Sequence, residues 1–114
     1  MKNANFNQQE LIQNTERLSS LNKDLETTYY MGQEKETHTK GKLRDLLLQM
    51  HGFMKAILAL SKETSLEKKA LDLEKKFLQL SEGIDRGHTH VQVTRKRFKV
   101  FKKEIDTFLH IVKS

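Results

Sequence analysis

The sequence predicts an all-α protein built as an antiparallel four-helix bundle, in a form that can also assemble as a dimer. The chain has no proline and only five glycines among 114 residues, so the strongest helix breakers are absent or scarce. In four segments the apolar residues recur every three or four positions, which aligns them along one side of a helix. Short connections between such segments favour antiparallel neighbours. The length predicts a single domain, residues 1–114, with a buried core.

The first two segments differ in the width of their apolar faces. The first segment carries a narrow stripe with spacings of seven, three, four and four: Leu11, Leu18, Leu21, Leu25 and Tyr29. The stripe fades before Gly32 and Gly41, which predict a break between helices. The second segment is apolar over a wide arc: Leu43, Leu46, Leu47, Met50, Phe53, Met54, Ile57, Leu58 and Leu60. This width predicts that the second helix is the most buried of the four.

The third and fourth segments alternate spacings of three and four with great regularity, as helices with a narrow buried seam do. The third stripe is Leu66, Ala70, Leu73, Phe77, Leu80 and Ile84. The fourth stripe is Val91, Thr94, Phe98, Phe101, Ile105, Phe108 and Val112. Thr64 or Ser65 is predicted to cap the start of the third helix, and Thr89 the start of the fourth. Gly83 and Gly87 are available as C-terminal caps of the third helix.

Other arrangements of the helices would also bury these apolar stripes. A bundle of three helices, with the first docked loosely or exchanged between subunits, is the main alternative, and heptad spacing also suits a dimeric coiled coil. The last helix carries a second, narrower stripe formed by Val93, Val100 and Ile111, with Glu104 among them. This second stripe is either the rim of the core or a contact for another chain.

Positive charge is concentrated in one segment of the chain. The net charge is +6, and residues 86–103 hold seven Lys or Arg and no acid, while the rest of the chain is nearly balanced. At about 100° per residue, five of these cations form one contiguous arc on the last helix. The five candidate polyanion-binding residues are Arg95, Lys96, Lys99, Lys102 and Lys103. We call them the basic face.

The basic face has three interpretations. It is a solvated helix surface whose long side chains cover the edge of the core, a phosphate-contacting surface, or a contact for an acidic protein. Phe98, Phe101 and Phe108 lie on the opposite side of the same helix, so they are not predicted to stack on bases. Single-stranded nucleic acid is therefore disfavoured as a ligand, because its binding needs aromatic side chains beside the cations.

Nothing in the sequence forms a recognisable catalytic site. There is no cysteine nucleophile, Gly-rich phosphate loop or Glu-x-x-His pair, so we predict no enzymatic activity, no cofactor and no small-molecule substrate. His38, His88 and His90 fall in connections that an up-and-down bundle places at one end, where a metal site or a pH-responsive cluster is geometrically allowed. Solvated loop histidines are the commoner arrangement, and we predict no metal.

The absence of cysteine fits a reducing compartment, and no apolar run approaches the roughly 18 residues of a membrane span. The polar N-terminal residues lack the apolar segment of a secretory signal. These observations predict a cytoplasmic protein without a membrane anchor.

Two stretches of the second half, "LEKKFLQLSEGIDR" and "TRKRFKVFKKEIDTFLHIV", resemble the YppE-like family of small four-helix-bundle proteins of Gram-positive bacteria. The similarity rests on Leu80 and Ser81 and on the Lys96, Arg97, Phe98 run, and it covers residues 66–112. Members usually have a proline before that run and a tryptophan in the second helix, and this chain has neither. The resemblance implies the bundle and no particular activity.

The sequence thus supports two hypotheses about function. The first is a non-enzymatic interaction protein, an adaptor, chaperone-like protein or small regulator, which acts through protein–protein contacts with a partner or a second copy. The alternative is a nucleic-acid-binding regulator that uses the basic face of the C-terminal helix.

Overall fold

The computed structural model describes residues 7–31, 36–85 and 91–114, with the backbone alone for residues 36–39. These ranges form four helices and no strand: α1 (Gln8–Met31), α2 (Glu36–Ser61), α3 (Glu67–Asp85) and α4 (Val91–Lys113). The prediction of an all-α bundle is confirmed.

Contacts between the helices fix their order around the core. Gln8 at the start of α1 donates a hydrogen bond from Nε2 to the carbonyl oxygen of Val112 at the end of α4, at 2.6 Å. At the other end of the same pair, the Tyr29 ring lies 5.7 Å from that of Phe98, so α1 and α4 are antiparallel. The best-packed neighbours are α1 with α2 and α3 with α4, whereas α2 and α3 share the least packing of the four adjacent pairs.

The core is formed by one side of each helix. Its buried apolar residues are Leu11, Leu18, Leu25, Tyr29, Leu43, Leu46, Met50, Met54, Ile57, Ala70, Leu73, Phe77, Leu80, Ile84, Phe98, Phe101, Ile105, Phe108 and Val112. The α3 and α4 members of this set are those that the regular spacing predicts. Five α1 side chains, those of four apolar residues and of Thr15, are completely buried, so the first helix is an integral part of the bundle and is not loosely docked.

Polar residues complete the buried stripe of α1. Thr15 and Asn22 occupy the positions that the apolar pattern skips, and both are buried. Thr15 donates a hydrogen bond from its hydroxyl to the Leu11 carbonyl oxygen, at 2.8 Å, so its polar group is satisfied within the helix. Asn22 Oδ1 is buried without a hydrogen-bond partner among the described residues.

Two glycines do not act as the sequence predicts. α2 begins at Glu36 and includes Gly41, so the predicted break ends several residues earlier than expected. Gly83 is not a cap: it lies inside α3, which continues to Asp85, and it is buried against Thr94 of α4. The second predicted cap, Gly87, and the predicted N-cap Thr89 lie outside the described residues.

The prediction that α2 is the most buried helix is wrong. Leu47, Phe53, Leu58 and Leu60 are only partly buried, and Leu48 is 65 % exposed. The apolar arc of α2 is wider than the surface that α1 and α3 cover, because α3 packs sparsely against it.

Polar side chains stabilise the turn before α3 and the start of α1. Thr64 Oγ1 accepts a hydrogen bond from the Leu66 N–H at 3.1 Å and donates one to the Ser61 carbonyl oxygen at 2.6 Å. The first helical hydrogen bond of α3 runs from the Ala70 N–H to the Leu66 carbonyl oxygen, so Leu66 occupies the N-cap position and Thr64 closes the turn before it instead of capping the helix. Glu63 in the same turn has a φ of 63°, in the left-handed region. At the start of α1, Asn7 Oδ1 accepts the Glu10 N–H at 3.0 Å, a cap that the sequence analysis missed.

Candidate functional site

The basic face is exposed along the N-terminal half of α4. Arg95, Lys96, Lys99, Lys102 and Lys103 are all exposed to solvent, while Phe98 and Phe101 of the same helix are buried. No carboxylate among the described residues forms an ion pair with any of the four lysines. Within the described part of the chain, the four lysines of the predicted arc are therefore exposed without an ion pair, and Asp106 is an acid on the same side of the helix.

Other cations of α4 have structural partners. Arg97 donates hydrogen bonds from Nη1 to the Gln79 carbonyl oxygen at 2.7 Å and to Glu82 Oε1 at 3.3 Å, which joins α4 to α3. Lys113 Nζ lies 3.4 Å from Glu16 Oε2 of α1. Arg97 is thus separate from the basic face, although it lies between two of its members in the sequence.

Arg95 is held at the edge of the basic face by an aromatic ring. Its guanidinium carbon lies 5.6 Å from the centroid of the Tyr30 ring, a cation–π contact. The centroid of the Tyr30 ring in turn lies 6.0 Å from that of the buried Phe98 ring, so the guanidinium packs on an aromatic ring that borders the core. Burial raises the pKa of the Tyr30 phenol above its ordinary value, although the charge of Arg95 opposes this effect. The phenol therefore stays neutral near neutral pH, so it supplies no negative charge to pair with Arg95.

A shallow groove lies on the outer surface of α3. Leu71 and Leu78 are 51 % and 50 % exposed, although both are large and apolar. The other residues that line the groove also belong to α3: Glu74, Lys75, Gln79 and Glu82. We call this surface the leucine groove.

The neighbouring side of α2 is packed against the core. The ring of His51 is 6.3 Å from that of Phe77, so this side of α2 borders α3. Leu47 and Leu58, at i−4 and i+7 from His51, are partly buried there. The sequence analysis missed Leu71 and Leu78, because two residues seven positions apart stand out only once the buried stripe of α3 is assigned.

The second stripe of α4 is divided between the core and the solvent. Val93 and Val100 are 43 % and 45 % exposed, whereas Ile111 and Glu104 are half-buried. The half-burial of Ile111 agrees with the interpretation that the stripe is the rim of the core. The two valines instead form a small exposed apolar pair.

The histidines do not converge in the part of the chain that the structure describes. His51 is half-buried beside Phe77, and His110 is exposed in the last turn of α4. His38, His88 and His90, the residues of the predicted loop cluster, lie outside the described side chains. Among the described residues no group of three His, Asp or Glu side chains is placed to hold a metal ion. Within the same ranges, no helix combines the length and apolarity that crossing a bilayer requires.

Comparison of the chain with protein-family models, with curated proteins and with solved structures finds no match. The similarity to the YppE-like family stays a prediction that rests on the sequence stretches quoted above.

Proposed function

We propose that this protein is a non-enzymatic helical interaction module that binds an amphipathic helix of a partner protein in the leucine groove. The observation that carries the proposal is the half-exposure of Leu71 and Leu78, seven residues apart, beside the least-packed pair of helices. A role as adaptor, chaperone-like protein or small regulator follows from such binding. The cytoplasmic location stays a prediction from composition.

The spacing of the two leucines favours a helix as the occupant. Seven residues are two helical turns, about 10.5 Å, and the apolar positions of an amphipathic helix repeat at the same interval. Helices recognised in this way place residues i, i+4 and i+7 into an apolar groove. Covering the exposed half of each leucine contributes about 1 kcal/mol.

The charges at the rim of the groove balance one another. Glu74 lies beside Lys75, and Glu82 Oε1 is 3.3 Å from Arg97 Nη1 of α4. The rim therefore favours neither sign of charge on the partner helix, and the apolar stripe of that helix is the feature that the groove recognises.

A displayed library of amphipathic helical peptides, selected on the protein, tests this proposal. Each recovered peptide is titrated by fluorescence anisotropy against the wild type, against Leu71→Asp/Leu78→Asp, and against Val93→Asp/Val100→Asp as a control with the same chemistry on α4. We expect amphipathic peptides whose affinity falls more than about tenfold in the leucine variant and hardly changes in the control. Equal losses in both variants, or no recovered peptide, would refute the proposal.

Self-association is the competing use of the groove. Size-exclusion chromatography with light scattering distinguishes the two, since a partner helix leaves the isolated chain monomeric at micromolar concentration. A dimer that Leu71→Asp/Leu78→Asp dissociates and Val93→Asp/Val100→Asp preserves would assign the groove to a second copy and overturn the proposal of a different partner.

A further inference from the structure

We propose that the basic face of α4 binds the sugar–phosphate backbone of double-stranded nucleic acid without reading its sequence. This inference does not rest on the function proposed above. It uses the exposed outer side of α4, whereas the leucine groove is lined by residues of α3.

The α4 cations fall into two groups: those that form ion pairs with a neighbouring helix, and those that face solvent and can bind a ligand. Arg97 and Lys113, which point toward neighbouring helices, have carboxylate partners. Lys96, Lys99, Lys102 and Lys103, which point outward, have no ion-pair partner among the described residues, and Arg95 stacks on a neutral ring. Like charges this close repel one another and are tolerated at a cost in stability, which an anionic ligand would offset.

The dimensions of the face suit a row of phosphates. From Arg95 to Lys103 the helix rises about 12 Å, and all five cations lie on one side of a rigid, well-packed helix. Duplex DNA carries one negative charge per about 1.7 Å of its axis, so this length of backbone offers several phosphates. If the five cations each replace one counterion, the logarithm of the affinity falls with the logarithm of salt concentration with a slope of about −4.

The scarcity of exposed aromatic and apolar groups beside the basic face selects the ligand. Phe98 and Phe101 are buried, and the half-buried Tyr30 is covered by Arg95, so the described residues offer no stacking platform for unpaired bases. The exposed apolar residues of α4 next to the face are Val93 and Val100, a smaller surface than the Trp, Phe and Leu side chains that anchor membrane-surface helices. Rigid cations alone match the backbone contacts that position a protein on a duplex.

The decisive experiment is a titration of a short labelled DNA duplex with the full chain, followed by anisotropy at several salt concentrations. The variant Lys96→Ala/Lys99→Ala/Lys103→Ala is compared with Lys55→Ala/Lys62→Ala/Lys68→Ala, which removes the same number of exposed charges elsewhere. We expect the first variant to lose more than about tenfold in affinity and to flatten the salt slope by about 2 to 3, and the second to lose little. Circular dichroism of both variants is expected to match the wild type, because these lysines are exposed.

Three results would overturn the inference. The first is no binding at low salt. The second is an equal loss in the two lysine variants, which would show a response to net charge alone. The third is binding to the matched single strand, or to vesicles of phosphatidylserine and phosphatidylcholine, that equals or exceeds binding to the duplex.

Discussion

Replacing Gly83 by alanine tests how closely α3 and α4 approach each other. A Cβ atom at this position would lie 3.0 Å from Thr94 Oγ1 and 3.5 Å from two side-chain atoms of Arg97. Inside a helix, alanine is more favourable than glycine by about 1 kcal/mol. Thr94 is fully buried and cannot turn toward solvent, and forcing an added methyl group into a packed interior costs about 1–3 kcal/mol. We therefore expect Gly83→Ala to change the free energy of unfolding by between 0 and about −2 kcal/mol.

In a Thr94→Ala background, we expect Gly83→Ala to raise the free energy of unfolding instead of lowering it. Thr94→Ala removes the hydroxyl that the new methyl group would meet, and this hydroxyl has no hydrogen-bond partner in the described structure. In that background Gly83→Ala should raise the free energy of unfolding by about 1 kcal/mol, the full difference in helix propensity. The two substitutions are thus coupled by about 1–3 kcal/mol.

Urea unfolding of the wild type, the two single variants and the double variant, followed by circular dichroism, measures this coupling. The slope of each transition must be unchanged for the comparison to hold. If Gly83→Ala stabilises the wild type and the Thr94→Ala background equally, the methyl group meets no resistance and the close packing of α3 on α4 is refuted.

Four further substitutions test other parts of the fold by the same urea titration. Glu63→Gly should stabilise the protein by up to about 1 kcal/mol, because φ at this position is 63°; an unchanged midpoint would show that the turn accommodates glutamate without strain. Asn22→Leu should stabilise by about 1–2 kcal/mol, since it removes a buried amide oxygen without a partner among the described residues; a loss would mean that the amide is satisfied. Phe77→Ala and Phe101→Ala, whose rings are 5.7 Å apart, should each cost about 3–5 kcal/mol, and an unchanged stability would contradict their place in the core.

The sequence predicts the buried faces of α3 and α4 because their apolar residues repeat without interruption, so that one stripe on each helix accounts for every described buried position except Gly83. The pattern is less informative in α1, where Thr15 and Asn22 occupy core positions and a polar residue gives no apolar signal. It misplaces the start of α2, because Gly41 suggests a break although the helix continues through it. The cost of a glycine inside a helix is only about 1 kcal/mol relative to alanine, which the packing of the rest of α2 offsets.

The sequence predicts that the cations of the basic face form one arc, but it does not predict which α4 cations form ion pairs. Arg97 and Lys96 are adjacent in the sequence and carry the same charge. Only the positions of Gln79 and Glu82 on α3 show that Arg97 is paired, whereas Lys96 has no ion-pair partner among the described residues. The leucine groove was hidden for a similar reason. Leu71 and Leu78 lie outside the buried stripe of α3, and periodicity determines the buried face of a helix without determining which neighbours cover its other sides.

The uneven packing of the four helices also bears on the order in which they fold. The two best-packed pairs, α1 with α2 and α3 with α4, are adjacent along the chain and close short loops, which form quickly. The contact of α1 with α4 instead joins residues as far apart as Gln8 and Val112, 104 positions away, and closing so long a loop carries an additional entropic cost. We expect each hairpin to form first and their docking to come last, so that truncating Tyr29, which packs on Phe98, accelerates unfolding far more than it slows folding.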